Sequence, residues 1–314
     1  MKLKTFLRHE TILGLLTIVA LAVLATQTDK FFTLDNLLNQ GRLMTEVGLI
    51  ATAMTFVIIT GGIDLSVGSI LGLVAILMGV FWKNLGLPLP VAIGFAMCLG
   101  TLAGFMNGVI ITRFNVPPLI ATLGTLALYR GIAEGVSQAR SVRGYPEWFF
   151  VLGSGETLGV PNQLWILGIF IVLAAIVLGL TVWGRSVYAI GYNETAARFS
   201  GIQVDRVKLA VYSASGFAAS LAAVIFVSRV STTRSDMGTG IELDAITAVV
   251  LGGTSIFGGR GTIIGTVLGL TLIQALKNGL SLAGVKSDGT IVLIGFVLIF
   301  TILISNLFHR NGNR

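Results

Sequence analysis

Few side chains in this 314-residue sequence could take part in chemistry, and the carboxylate of Asp64 is the first to consider. It lies in the segment Gly61-Gly-Ile-Asp-Leu-Ser-Val-Gly68, between two apolar runs. A carboxylate in apolar surroundings is costly unless it is paired or hydrogen-bonded. Ser66 follows it where a helix N-terminus, which favours negative charge, is expected. We therefore predict that Asp64 and Ser66 cap a broken helix, with solute passage or a proton relay as alternative roles.

Other chemistry finds little support in the sequence. The Gly-rich stretch 251–261 lacks the lysine with which a phosphate-binding loop reaches its nucleotide. His9, His309 and the single cysteine, Cys98, are far apart in the sequence and form no metal-ligand pattern. We predict no catalytic residue, no metal site and no cofactor bound by this chain.

The segment 193–201, Asn-Glu-Thr-Ala-Ala-Arg-Phe-Ser-Gly, has the pattern of a short capped helix. Asn193 suits the N-cap and Gly201 suits the position just after the C-terminus. Glu194 and Arg198 stand at i and i+4 in the favourable order. A short helix of this kind, placed between apolar runs, is a suitable lever for a soluble partner.

The elements that must position these residues follow from composition. The chain is 54% hydrophobic and only 11% charged, whereas soluble domains carry about 25% charged residues. Apolar runs of roughly 17–23 residues match the length that crosses a bilayer. We predict an all-α membrane protein with about ten transmembrane helices, over 11–27, 43–60, 67–82, 89–111, 117–136, 164–183, 208–228, 242–257, 262–283 and 290–308.

The third and eighth of these runs are short, which predicts broken or re-entrant segments. An even number of spans places both termini on one side, and the distribution of Lys and Arg, within a net charge of +7, favours the cytoplasm. The first run resembles a signal peptide, but we predict an uncleaved helix. We expect one transmembrane domain over 1–314, with a cytoplasmic loop at about 184–207.

Carboxylates are scarce within the predicted spans. Glu46, Glu134 and Asp244 are expected singly or near span ends, whereas an ion-coupled carrier usually needs such groups near the midplane. Glycines four residues apart, as in 100, 104 and 108, predict close helix packing within the subunit, with a subunit interface or moving contact as the alternative.

The sequence resembles the membrane-spanning permease subunits of ribose-type bacterial ABC sugar importers, which move ribose, xylose, galactose, rhamnose or autoinducer-2. The resemblance covers nearly the full length. It rests on five ordered motifs, namely Gly61-Gly-Ile-Asp-Leu-Ser-Val-Gly68, Gly104-Phe-Met-Asn-Gly108, Pro117-Pro-Leu-Ile-Ala-Thr-Leu-Gly-Thr125 with Tyr129-Arg-Gly131, the loop 184–202, and Ala248-Val-Val-Leu-Gly-Gly253 with Gly258-Gly259.

The resemblance implies a second permease subunit, identical or related, an extracytoplasmic sugar-binding protein, and a cytoplasmic ATPase pair that carries ATP and Mg²⁺. It also implies that 190–201 forms the coupling helix on the ATPase. The coupling candidates are then Asn193, Glu194, Ala197, Arg198 and Gly201.

Further site candidates lie in the matched motifs. Asn107 and Thr122 join Asp64 and Ser66 as candidates for the helix break or the pathway. Arg234 and Asp236 resemble a stretch of some autoinducer-2 permeases; they form either a contact for the binding protein or an ordinary solvated ion pair. Arg130 is expected to extend its charged end to the membrane interface.

The family's neutral polyol substrates fit an expected absence of buried charge along the spans. Three other functions remain open at this stage, one of them a structural membrane subunit without a pathway, whose deletion would leave transport intact. A branched-chain amino-acid permease of the same superfamily would need paired polar groups for a zwitterion. An ion-coupled secondary carrier would work without ATP.

Overall fold

The computed structural model describes residues 30–138 and 140–285, together with isolated positions in 13–26 and 289–299. The helices of the continuous part are α1 Leu34–Ile59, α2 Val67–Lys83, α3 Leu89–Arg113, α4 Pro118–Ser137, α5 Glu147–Ser154, α6 Asn162–Leu180, α7 Val182–Tyr192, α8 Glu194–Phe199, α9 Val204–Val230, α10 Ile241–Leu251 and α11 Ile263–Leu282. The short strands are β1 Val142–Arg143, β2 Glu156–Thr157, β3 Val160–Pro161 and β4 Thr232–Thr233.

Six helices in the described part are long and apolar enough to cross a membrane: α1, α3, α4, α6, α9 and α11. Helices α2, with 17 residues, and α10, with 11, correspond to the two runs predicted to be short. The predicted spans 11–27 and 290–308 lie outside the described residues, apart from isolated positions. We call the end that carries 184–207 the cytoplasmic end and the opposite end the outer end, following the predicted sides.

Local sequence signals explain where several helices begin. The hydroxyl of Thr33 accepts a hydrogen bond from the amide of Asn36, and that of Thr262 accepts one from Gly265 at 3.0 Å. Helices α3 and α4 start with prolines in the first turn, where the missing N–H has no partner to lose. These caps satisfy or remove donors that would otherwise be unpaired.

Helix α9 lies at the centre and packs against α1, α2, α3 and α5. Its closest approach is to α3, where a methyl group on Gly104 would lie 2.9 Å from the Cα of Gly216. Gly100 and Gly108 likewise face Ser220 and Leu209 of α9. The glycines spaced by four therefore serve close packing within the subunit, as predicted.

The predicted loop 184–207 and the stretch 137–163 between two predicted spans contain more structure than their sequences indicated. The predicted span 164–183 ends at Leu180, because Thr181 is extended and its side chain accepts from the amide of Gly184 to start α7. Helices α7 and α8 then occupy much of the predicted loop 184–207. At the outer end, 137–163 contains α5, the β2–β3 hairpin and β1, which pairs antiparallel with β4.

The interruptions beside α2 and α10 keep their backbone groups bonded. After α1, the amides of Gly61 and Gly62 donate to the carbonyls of Ile58 and Val57 at 2.9 and 3.0 Å. The predicted span 242–257 ends as a helix at Leu251, and 252–262 forms a turn that leads into α11. Such non-helical backbone is tolerated in a membrane where protein surrounds it.

The glycine contact between α3 and α9 can be tested by adding a side chain. We expect Gly104→Val to destabilise the protein by at least about 2 kcal/mol, because the backbones must separate. Gly124→Val on α4 is the matched control, since no atom lies within 4 Å of a side chain added there. The stability of both variants is measured by their melting temperatures in detergent micelles. Equal melting temperatures for the two variants would show that α3 and α9 can separate freely.

Candidate functional site

Asp64 is fully buried between α1 and α2 and is held by three hydrogen bonds. Its Oδ1 accepts from the amide of Ser66 at 3.0 Å and from the hydroxyl of Ser66 at 2.6 Å. Its Oδ2 accepts from the hydroxyl of Ser215 on α9 at 2.8 Å. These donors are uncharged, so the carboxylate is satisfied by hydrogen bonds that tie the helix break to α9. This arrangement supports the predicted capping role.

The predicted cap needs one correction, which concerns the side chain of Ser66. Ser66 occupies the N-cap position of α2, but its side chain makes no bond to the helix backbone. Its hydroxyl instead donates to Asp64, and it accepts from the side-chain amide of Asn107 at 2.7 Å. The Asp64 carboxylate therefore organises the turn, because two donors of Ser66 converge on it.

Thr122 and Asn107 complete this buried group, so the structure brings all four helix-break candidates together. The hydroxyl of Thr122 lies 3.0 Å from the carbonyl of Ile63, which the helix break leaves without a helical partner. The hydroxyl of Tyr129 donates to the carbonyl of Ala103 at 2.9 Å, close to Asn107. This set lies inside the packed core and holds the broken segment against α3 and α4.

Arg130 was expected to extend to the membrane interface, because it lies near a helix end. The structure shows instead that its side chain points to neighbouring backbone. Its guanidinium donates to the carbonyls of Ser235, Met237 at 2.9 Å and Gly68 at 3.2 Å. It therefore joins the first turn of α2 to the outer segment before α10. Carbonyl partners of this kind carry no pattern in the sequence, so this role could not be read from it.

At the cytoplasmic end, α8 has the predicted caps. The side chain of Asn193 accepts from the amide of Ala196 at 2.9 Å, and Gly201 has φ of 83° just after the helix. Ala197 is buried and anchors the helix. Beside it, Phe199 is 88% exposed and Tyr192 is 77% exposed. The helix therefore presents two large aromatic side chains on the surface.

The charges of α8 are tied to the start of α9. Arg198 pairs with Asp205 and, at 3.3 Å, with Glu194, which also accepts from Lys208 at 2.6 Å. Burial alone would raise the pKa of Glu194, but Lys208 and Arg198 outweigh it and hold that pKa below its ordinary value. Glu194 is therefore ionised at neutral pH. A charge reversal at 194 and 198 would place like charges against Lys208 and Asp205.

Helix α7, which precedes α8, packs against both helix interruptions, and one of these contacts requires a glycine. Gly191 lies directly against the carbonyl of Ile59, where no side chain would fit. The same carbonyl accepts from the amide of Gly259 at 2.9 Å, and the hydroxyl of Tyr188 donates to the carbonyl of Gly261 at 2.7 Å. Helix α7 therefore contacts both the end of α1 and the turn before α11.

A cavity of about 690 Å³ lies at the outer end, between α1, α9, α10 and α11. Two ion pairs line it and cross between helices: Glu46–Arg229 at 2.9 Å and Asp244–Lys277 at 2.6 Å. Glu46 is only 3% exposed. The expected absence of buried charge along the spans is therefore wrong, because partners more than thirty positions away could not be paired from the sequence.

Arg234 and Asp236 also line this cavity, at its exposed side. They form an ion pair at 2.6 Å, and both side chains are more than half exposed. The predicted solvated ion pair is thus present. The proximity of the pair to a cavity between four helices was not expected from the sequence.

Comparisons with known proteins bear on this architecture. The family model described as "Branched-chain amino acid transport system / permease component" matches residues 36–302. The chain is 41% identical over 300 residues to the ribose import permease protein RbsC of Escherichia coli, covering 92% of this chain and 91% of that protein. No solved structure matches the chain.

Two further relatives cover comparable lengths. RbsC of Bacillus subtilis is 40% identical over 295 residues, with 93% of this chain and 90% of the relative covered. The autoinducer 2 import system permease protein LsrD of Escherichia coli is 36% identical over 300 residues, with 94% and 91% covered. These likenesses extend over the helix break, α7, α8 and the outer cavity.

The capping role of Asp64 predicts different results for two substitutions. Asp64→Ala leaves three buried donors without an acceptor, so we expect the free energy of unfolding to fall by about 3 kcal/mol or more. Asp64→Asn retains an acceptor for Ser66, so its unfolding midpoint in detergent should stay close to that of the unaltered protein. An asparagine variant as unstable as the alanine variant would mean that the negative charge, rather than the acceptor, is required.

Proposed function

The chain belongs to the permease family described as the branched-chain amino acid transport system permease component, and on that premise we propose that it moves a sugar or sugar-like molecule into the cell. It is a multi-pass protein of the bacterial cytoplasmic (inner) membrane and serves as the permease subunit of an ABC importer. The proposal rests first on its similarity, over 92% of its length, to a permease named for ribose import. By the same reasoning the proposal includes autoinducer-2, a sugar-like molecule, among the substrates.

A separate ATPase supplies the energy in this proposal. The Gly-rich stretch 251–261 contains the last residue of α10 and most of the turn before α11, and it has no lysine to contact a nucleotide. ATP and Mg²⁺ therefore belong to the partner, and this chain binds no cofactor and catalyses no covalent step. Residues 1–314 form one transmembrane permease domain.

Coupling to that ATPase is assigned to α8. The helix is held in place by Asn193, Glu194, Ala197, Arg198 and Gly201. Its exposed Phe199 and the neighbouring Tyr192 have the character of interface anchors, because large aromatic side chains dominate many protein interfaces. Movement of the ATPase pair on ATP binding would then reach the membrane through Gly191 and alternate the access of the pathway.

The remaining partners and the topology complete the proposal. About ten spans place the N- and C-termini in the cytoplasm. A second permease subunit, the same or related, completes the pathway. An extracytoplasmic sugar-binding protein delivers the solute at the outer end, where Arg234 and Asp236 are exposed.

An amino-acid substrate is the second candidate, because the family description names branched-chain amino acids. Paired charges do line the outer cavity, as a zwitterion would require. However, each of these charges already has a partner within the chain. The relatives named for ribose and autoinducer 2 favour the sugar. An ion-coupled carrier would be indicated by uptake that survives ATP depletion and stops when the proton gradient collapses.

The importer assignment predicts which proteins are bound to this chain in the membrane. A tagged chain solubilised from native membranes in mild detergent should bring down an ATPase subunit, identified by mass spectrometry, and the eluate should hydrolyse ATP. A second permease sequence in the eluate would indicate a heterodimer. A chain that comes down alone, with uptake that depends on the proton gradient, would replace this proposal with the carrier.

The coupling assignment predicts a selective defect. Phe199→Ala should lower ATP-driven uptake by about tenfold or more, because an interface anchor is lost while the fold is untouched. Leu158→Ala is the matched control, since Leu158 is 90% exposed in the hairpin at the outer end. Uptake and ATP hydrolysis are measured for the full transporter in proteoliposomes. Full uptake by a normally assembled Phe199→Ala transporter would refute the docking role.

A further inference from the structure

The outer cavity carries a balanced set of charges. Among its described lining residues the acids are Glu46, Asp236 and Asp244, and the bases are Arg229, Arg234 and Lys277. Each acid is paired with one of the bases at 2.6 to 2.9 Å. A cavity lined in this way has no excess positive charge for an anion and no excess negative charge for a cation, so its electrostatics favour an uncharged ligand.

The ion pairs also allow the cavity to discriminate between an uncharged polar ligand and a zwitterion. A zwitterion needs one cationic and one anionic group that are free to receive it. Arg229 pairs with Glu46 and Lys277 pairs with Asp244. Glu46 is buried, so opening its pair would leave a buried carboxylate without a partner at a high energetic cost. A hydroxyl can donate to a second lone pair of a paired carboxylate, since each carboxylate offers about four acceptor positions.

Other lining groups suit a ligand with several hydroxyls and an apolar face. The side-chain amides of Gln40 and Gln274 bond to each other at 2.7 Å across α1 and α11, and each amide has both donor and acceptor atoms. The ring of Phe226 lies 5.0 Å from the guanidinium carbon of Arg229, which adds an aromatic surface beside the charges. The volume of about 690 Å³ lies within the usual range for sites that bind small molecules.

We propose that this cavity is a recognition site for an uncharged, polyhydroxylated solute, which hydrogen-bonds to Glu46–Arg229 and Asp244–Lys277 while both ion pairs stay closed. The inference rests on the proposed function and adds the place where the solute is recognised. The site is distinct from the buried group around Asp64, whose hydrogen bonds are used within the fold.

The experiment measures binding to the full-length chain in lipid nanodiscs by saturation-transfer NMR. The probes are D-ribose, D-xylose, D-galactose and L-rhamnose as polyols, with leucine as a zwitterion and inorganic phosphate as a competing anion. We expect at least one of the four polyols to bind. Leucine should give no saturation transfer, and neither leucine nor phosphate should displace the polyol.

Two variants test the location independently. The double variant Asp244→Asn with Lys277→Gln removes one ion pair, and Leu43→Trp fills part of the cavity without altering a charge. Each should weaken polyol binding by about tenfold or more. The matched control is Arg42→Gln with Glu156→Gln, which removes an ion pair at the same end of the molecule but outside the cavity. Size-exclusion profiles and melting temperatures confirm folding.

The outcomes distinguish this inference from the proposed function. Polyol binding that both cavity variants leave intact, binding of none of the four polyols, or displacement by leucine would overturn the site. Uptake in cells, measured after deletion of the chain, tests the function separately. Sugar uptake that survives deletion contradicts the function, whereas uptake that is lost on deletion but retained by both cavity variants contradicts only the site.

Discussion

The constraint on which the structure depends is the need to satisfy backbone polar groups where helices are interrupted inside a membrane. No water is present there to bond a free amide or carbonyl, so each unpaired group costs several kcal/mol. The turn between α1 and α2 meets this requirement with Asp64, Ser66 and Thr122. The turn before α11 meets it partly with the carbonyl of Ile59, which receives the amide of Gly259. The two interruptions are therefore bonded to each other.

This shared junction places one set of contacts between the two ends of the molecule. From α8 the contacts pass through Gly191 to the end of α1, and then through the Asp64 turn to α2. The carbonyl of Gly68 continues to Arg130, which also holds the outer segment 235–237 beside the cavity. Packed backbones cannot deform smoothly, so a displacement at α8 must be passed on or resisted by these contacts. These contacts are the route that the proposed coupling to an ATPase would use.

The sequence predicted the parts of this arrangement that depend on neighbouring residues. Within the described part, hydropathy located the six long apolar helices and the two shorter helices α2 and α10, and the caps of α8 follow from Asn193 and Gly201. Helix α7 was missed because it lies in a stretch too polar for a span, where Thr181 starts a new helix. The Glu46–Arg229 pair joins residues 183 positions apart, and its formation depends on how α1 and α9 rotate against each other. Periodicity within one helix carries no such information.

The desolvation free energy of the ion pairs at the outer end indicates why these charges are present. A buried ion pair is often no more stabilising than well-packed apolar side chains, because both charges lose their hydration. Apolar residues would have joined α1 to α9 and α10 to α11 at least as well. Charges kept in these positions, beside a cavity, therefore indicate a requirement other than stability. Recognition of a polar solute, as proposed above, meets that requirement, and the closed state of both pairs is the reason we expect this site to reject ions and zwitterions.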